Sequence, residues 1–134
     1  MPDTAILETL AAATYVSLTT FRKNGDAVAT PVWIARDANR LYVITEADSG
    51  KVKRLRNNPS VLLAPCDVRG RKTGEAFGGT ATILEGERVA EVRHLMAGKY
   101  KLTYRVMLLG DRVRHRRSRS NRVGLEIAVN AVAQ

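Results

Sequence analysis

Cysteine is almost missing from this chain: Cys66 is the single one among 134 residues. A disulfide within the chain is excluded, and with it the stapled scaffold of small secreted domains. One cysteine and two histidines are also too few for a structural zinc site. Aromatic residues make up 5%, which argues against a protein that stacks single-stranded bases. No apolar run is long enough to span a bilayer, and the start, MPDTAILETL, carries acids. Neither a signal peptide nor a membrane span is expected, and a reducing cytoplasm is the expected setting. Acidic residues are the other deficit, 13 against 22 basic ones, for a net charge of +9. That imbalance suggests an anionic partner without choosing among nucleic acid, an acidic membrane surface and a phosphorylated cofactor.

Hydrophobic residues are plentiful at 45%, so the chain can bury a core without staples. The length fits one domain, residues 1–134. Thr4 to Ala13 reads as an amphipathic helix, with Ile6, Leu7 and Leu10 at helical spacing and Asp3 or Thr4 as cap. TYVSLTTF, rich in β-branched residues, reads as a strand. Asn24-Gly25 turns the chain into AVATPVWIAR, and Asp37-Ala38-Asn39 turns it again into RLYVITE. These three runs predict a three-stranded antiparallel meander. A helix over about Ser49 to Asn58 stops at Pro59. SVLLAPCDV and EAFGGTATILEG are further strands, with a bulge or bend expected at Gly78-Gly79. Glu87 to about Gly98 is helical, and Leu102, Val106, Leu109 and Val113 mark a second helical run. Val123, Leu125, Ile127 and Val129 alternate in a last strand. The sum is a mainly β, α+β fold: a six-stranded antiparallel barrel with flanking helices.

Four features carry chemical interest. In ADSGKVKRLRNNPSV, Lys51, Lys53, Arg54 and Arg56 crowd one short helix. Asp48 or Ser49 stands at the cap, Gly50 leaves the backbone accessible, and Arg54 lies one turn above Lys51. Free N–H groups plus two stacked cations make a phosphate or carboxylate clamp; a solvated helix face is the plain alternative. In TPVWI, Pro31 belongs on a sheet edge or at a bulge. Trp33, on the same predicted face, offers a flat wall or simply core. In APCDVRGR, Asp67, Arg69 and Arg71 enter a loop, and neighbouring cations would lower the Cys66 pKa. His94 and His115 have no carboxylate pattern to orient them, so nucleophilic catalysis is not expected. Finally, DRVRHRRSRSNR, from Asp111 to Arg122, is the most basic run. It is a solvated stretch, a non-specific nucleic-acid contact, or a reach toward an acidic ligand tail. Walker-type loops, paired metal-ligand motifs and a Ser-His-Asp signal are all missing. Such a protein either only binds, or leaves the chemistry to a cofactor that it positions.

The ordered set TTFRKNGDAVATPVWIARDANRLYVITEADSGKVKRLRNNPSVLLAPCDVRGR resembles the pyridoxamine-phosphate-oxidase-like superfamily of split β-barrels. Within it, the chain looks like the oxidoreductases that use the deazaflavin coenzyme F420. The likeness is strongest from Tyr15 to Leu84 and returns in the final strand; the Arg-rich region is less typical. The resemblance implies a homodimer of split barrels with cofactor sites at the subunit interface. It implies a deazaflavin ring against Thr30, Pro31, Val32 and Trp33. It places the phosphate and acidic tail at Thr45, Ser49, Lys51, Lys53 and Arg54. The loop Ala64, Pro65, Cys66, Arg69 and Gly70 would lie close to ring or tail. The activity implied is hydride transfer from reduced F420 to an unsaturated small molecule, with no catalytic dyad required. The alternatives are an FMN-dependent oxidase or reductase of the same superfamily, and a non-catalytic binder of F420 or a tetrapyrrole. Nucleic-acid binding through the arginines ranks last, because the run has no groove-reading motif.

Overall fold

The computed structural model describes residues 4–100 and 122–130. Helix α1 (Thr4–Ala12) leads into strands β1 (Tyr15–Phe21), β2 (Ala27–Val32), β3 (Ala35–Asp37) and β4 (Arg40–Glu46). Helix α2 (Gly50–Asn57), strands β5 (Ser60–Cys66) and β6 (Phe77–Leu84), helix α3 (Glu87–Lys99) and strand β7 (Arg122–Val129) follow. The predicted helical run from Leu102 to Val113 and the arginines up to Arg119 lie outside the described residues.

All seven strands join one antiparallel sheet in the order β2-β1-β5-β6-β7-β4-β3. The sheet curls into a half-barrel with three flanking helices, the split-barrel architecture expected from the sequence. Alternation along the strands sorts side chains into two layers. Val16, Leu18, Leu63, Leu41, Val43, Leu125 and Ile127 point to the concave side, where Ile6, Leu7 and Leu10 of α1 and Leu55 of α2 complete the main core. On the convex side α3 covers the β3–β4–β7 half, and Met96 and Tyr100 meet Ala35, Trp33 and Ile44 there. No helix among the described residues is long and apolar enough to cross a membrane.

Three expectations need correction. The stretch from Ala27 to Arg36 is two strands, not one, which is why there are seven strands rather than six. The break falls at Trp33-Ile34. The Ile34 N–H donates to the Tyr100 phenol oxygen at 3.0 Å, and its carbonyl accepts from the Lys99 ammonium at 2.7 Å. Side chains from the end of α3 thus take the backbone groups that a continuous strand would offer to a neighbour. The three-stranded meander fails for the same reason. After the break β2 stays with β1 at one edge, while β3 and β4 form the far edge. The Gly78-Gly79 pair makes no bulge: the β5–β6 register runs unbroken from Ser60↔Thr80 to Leu63↔Phe77. Its role is close approach, since a methyl on Gly79 would stand 2.9 Å from the Ala128 carbonyl oxygen.

Candidate functional site

Helix α2 begins where Ser49, in extended conformation, turns its side chain to accept from the Val52 N–H at 3.4 Å. The Thr45 and Ser49 hydroxyls lie 3.4 Å apart, joining the end of β4 to this cap. Val52 and Leu55 are buried, so the helix is held by its apolar face and its cations point away from the core. They do not all do the same thing. Lys53 is exposed. Arg56 is exposed and reaches Glu85 at 3.4 Å, a solvent-screened pair of little energetic weight. Lys51 and Arg54 are half-buried, not exposed as a solvated face would have them.

A helical side chain leans toward the N-terminus, so residue 54 lies over residues 50 and 51. The Arg54 guanidinium takes up that place. A methyl on Gly50 would sit 2.7 Å from its Nη1. Its Nε donates to the Thr20 hydroxyl of β1 at 2.6 Å, and Thr20 is fully buried. Lys51 lies close enough that burial first, and Arg54 second, lower its pKa, with Glu46 opposing. The first turn of α2 holds no acid. Two cations therefore sit together over a helix N-terminus, against their mutual repulsion.

The remaining predicted residues gather at the other end of β1. Pro31, Ser17 and Ala64 form one cross-strand row, and Val32, Val16 and Pro65 form the next. Directly opposed residues share a face, so Pro31 and Ala64 point one way and Val32 and Pro65 the other. Pro31 is exposed on the edge strand, as expected of a residue without a donor. Asp67 closes the loop after β5, its Oδ1 accepting from the Arg69 and Arg71 N–H groups at 2.9 Å each. That turn carries Gly70, at φ +88°, to within 3.6 Å of Pro31 Cδ, measured from where its Cβ would be. Pro31 and the loop from Ala64 to Gly70 are thus brought together.

Two predicted residues stand differently. Trp33 leaves the Pro31 face at the strand break and stacks on Tyr100, with ring centroids 4.4 Å apart and planes 7° from parallel. The expectation of a lowered Cys66 pKa is reversed. The thiol is buried and pushed up, by burial first and by Asp67 second. Thr30 faces inward beside Leu18, and its buried hydroxyl has no hydrogen-bond partner among the described residues. Two grooves of about 490 and 520 Å³ flank α3. They are lined by Tyr42, Glu91 and His94 in one case and by Glu85, Arg93 and Arg122 in the other, and neither includes a predicted site residue.

The family described as pyridoxamine 5'-phosphate oxidase matches residues 2–134. The chain belongs to this family. Among solved structures, the conserved hypothetical protein Rv2991 of Mycobacterium tuberculosis is 24% identical, with a TM-score of 0.66, covering 97% of this chain and 81% of that one. A protein titled F420 reductase is 17% identical, with a TM-score of 0.64 and 92% of both chains covered. The heme storage protein HutZ of Vibrio cholerae is 12% identical, with a TM-score of 0.62, covering 100% of this chain and 93% of that one. No curated protein matches. These likenesses establish the fold; they do not choose a ligand.

Within this pyridoxamine 5'-phosphate oxidase fold, the sequence reading missed Thr20, Lys99 and Tyr100. Thr20 had a signal: it follows Val16 and Leu18 in the inward phase of β1, and a hydroxyl there requires a partner. The two α3 residues had none, because their contacts are backbone groups about 65 and 86 positions earlier. Tyr100 and Tyr42 share one measurable property. Burial, aided at Tyr42 by its hydrogen bond to Glu126, raises both phenols from 10.0 to about 12. The folded state thus holds these protons more tightly than the unfolded chain. The stability involved is complete below pH 10 and is lost as pH rises toward 12. Alkaline titration of phenolate absorbance should show both ionising late and together with unfolding. Ionisation near pH 10 in the folded protein would contradict this.

Proposed function

We propose that the chain binds coenzyme F420 and acts as an F420-dependent reductase of unsaturated small molecules. One observation carries the reading: Lys51 and Arg54 lie together over an acid-free helix start. A polyanion relieves the repulsion between them and gains charge-assisted hydrogen bonds. The phosphate and glutamate tail of F420 is such a polyanion. Two features of the residues present fit a ligand here. The glycine at position 50 makes the space in which the Arg54 guanidinium rests over the helix start, so that cation is already in place. The buried Thr30 hydroxyl lacks a described partner, a state that costs about 1–3 kcal/mol unless something satisfies it.

In this reading Thr45, Ser49, Lys51 and Arg54 hold the tail, with Lys53 as an outlying charge. Pro31, Ala64, Cys66, Arg69 and Gly70 border the ring, with Pro65 behind them on the opposite face. Of the four residues Thr30 to Trp33, Pro31 offers its side chain from the exposed face and Thr30 and Val32 from the inner one. Trp33 supports the strand from behind. When bound and reduced, F420 supplies a hydride to an electron-poor double bond. The chain's part is to orient two reactants and exclude water. Cys66, held as a neutral thiol, is a wall rather than a nucleophile.

The proposal includes a homodimer. Leu62 and Val68 are the large hydrophobic residues left exposed among those described, and both flank the ring-side group. A second copy covering them would close the site.

A fluorescence titration with F420, run beside FMN at the same salt, tests the reading. F420 is expected to bind at micromolar concentration or tighter, at least about 10-fold more tightly than FMN. Its affinity should also fall more steeply with salt, because more charges are paired. The reverse order moves the protein to FMN chemistry. Binding of neither cofactor overturns the proposal.

A further inference from the structure

We infer that Thr20 is a positioning residue of the anion site: it fixes the Arg54 guanidinium over the first turn of α2 before any ligand arrives. The inference rests on the anion site proposed above, but not on F420 being the ligand.

An arginine on a helix surface has substantial rotamer entropy to lose when it is immobilised. If that loss falls at binding, affinity suffers; if folding has already fixed the side chain, it does not. Two contacts fix Arg54. The Thr20 hydroxyl, 0% exposed, accepts from Nε at 2.6 Å. The missing side chain of Gly50 makes the space in which Nη1 rests. A guanidinium has five N–H donors. With Nε engaged by Thr20, the two Nη groups stay available, and no described residue accepts from either. They lie beside the N–H groups of α2's first turn and next to Lys51.

Thr20 cannot touch the ligand in this arrangement, since it is fully buried behind Arg54. Its oxygen matters only through the guanidinium. A structural account of the same contact treats it as a tie between α2 and β1. The two accounts differ in what valine, serine and a blocked Gly50 do. Thr20→Val keeps the shape and removes the acceptor. Thr20→Ser keeps the acceptor. Gly50→Ala leaves Thr20 intact but pushes the far end of the arginine away.

The experiment measures F420 affinity and the melting-temperature rise given by pyrophosphate, for wild type and all three variants. The exchange-protected Arg54 Nε–H resonance is followed alongside. Thr20→Val and Gly50→Ala are expected to weaken F420 binding by about 5- to 10-fold, roughly the net worth of one ordinary hydrogen bond. They should shrink the pyrophosphate stabilisation as well. Thr20→Ser should stay within about twofold of wild type on the same scale. The Nε–H resonance should persist in Thr20→Ser and be lost in Thr20→Val. Unchanged affinity in Thr20→Val overturns the inference, as does serine behaving like valine. If wild type responds to pyrophosphate and not to F420, the cofactor proposal fails alone, and the pyrophosphate series decides the role of Thr20. If wild type responds to neither, both fail.

Discussion

Replacing Lys51 and Arg54 together by alanine is expected to reduce F420 affinity by at least about 100-fold, from two lost charge-assisted bonds at roughly 1.5–3 kcal/mol each. Folding should suffer much less. Among the described residues neither side chain makes an ion pair with a carboxylate, and the Arg54 charge works against that of Lys51. The main structural loss is the acceptor role of the Thr20 hydroxyl, worth about 1 kcal/mol. The two single variants should not add up to the double. Removing Arg54 takes away a cause of the lowered Lys51 pKa, so the two cations do not act independently. That coupling is the expected mark of neighbours sharing one ligand. Isothermal titration beside thermal melts separates the two effects. Wild-type affinity in the double variant would move the tail elsewhere, with the Arg-rich run as the next place to neutralise.

The largest loss of stability is expected at Tyr100. Its ring is buried and stacks on Trp33. Its phenol accepts from the Ile34 N–H and donates to the Thr14 carbonyl at 2.8 Å. Tyr100→Ala removes all of this and should destabilise by about 3–5 kcal/mol, as other large-to-small aromatic replacements do. That is a large share of the roughly 5–15 kcal/mol available to a domain of this kind. Tyr100→Phe isolates the hydroxyl. It keeps ring and stack but leaves the buried Ile34 N–H without its acceptor, which costs about 1–3 kcal/mol. Denaturant unfolding of both variants measures the difference. Tyr100→Phe should also remove one of the two late-ionising phenols from the alkaline titration. A phenylalanine variant as stable as wild type would mean that the strand break at Trp33-Ile34 does not depend on this bond.

How much of this was legible in the sequence depends on how far apart the interacting residues lie. Helix α2 was readable because its start signal at Ser49, its buried Val52 and Leu55, and its stop at Pro59 are all local. Strands β1 and β7 were readable from alternation. The edge position of Pro31 followed from its missing N–H. The break after Val32 was not readable. Pro31 marked an edge or a bulge but not a break at Trp33-Ile34, and the residues that divert Ile34 come at the end of α3. The same holds for Cys66. Sequence proximity suggested that Arg69 and Arg71 would activate it. The Asp67 turn instead uses the backbone of those residues, and burial governs the thiol. Lys51 and Arg54 were found from their spacing, but that Arg54 is held by a threonine 34 residues earlier needed the fold.

The place of β7 has a consequence for how the protein is made. The last strand among the described residues is not at an edge. It lies between β6 and β4 and pairs with both. Without it, the ribbon β2-β1-β5-β6 and the hairpin β3-β4 share no strand pairing and meet only through the core that α1 helps to fill. Closure of the sheet therefore waits for β7. A chain whose β7 has not yet joined the sheet leaves the edges of β6 and β4 open, the state most exposed to mispairing with neighbouring chains.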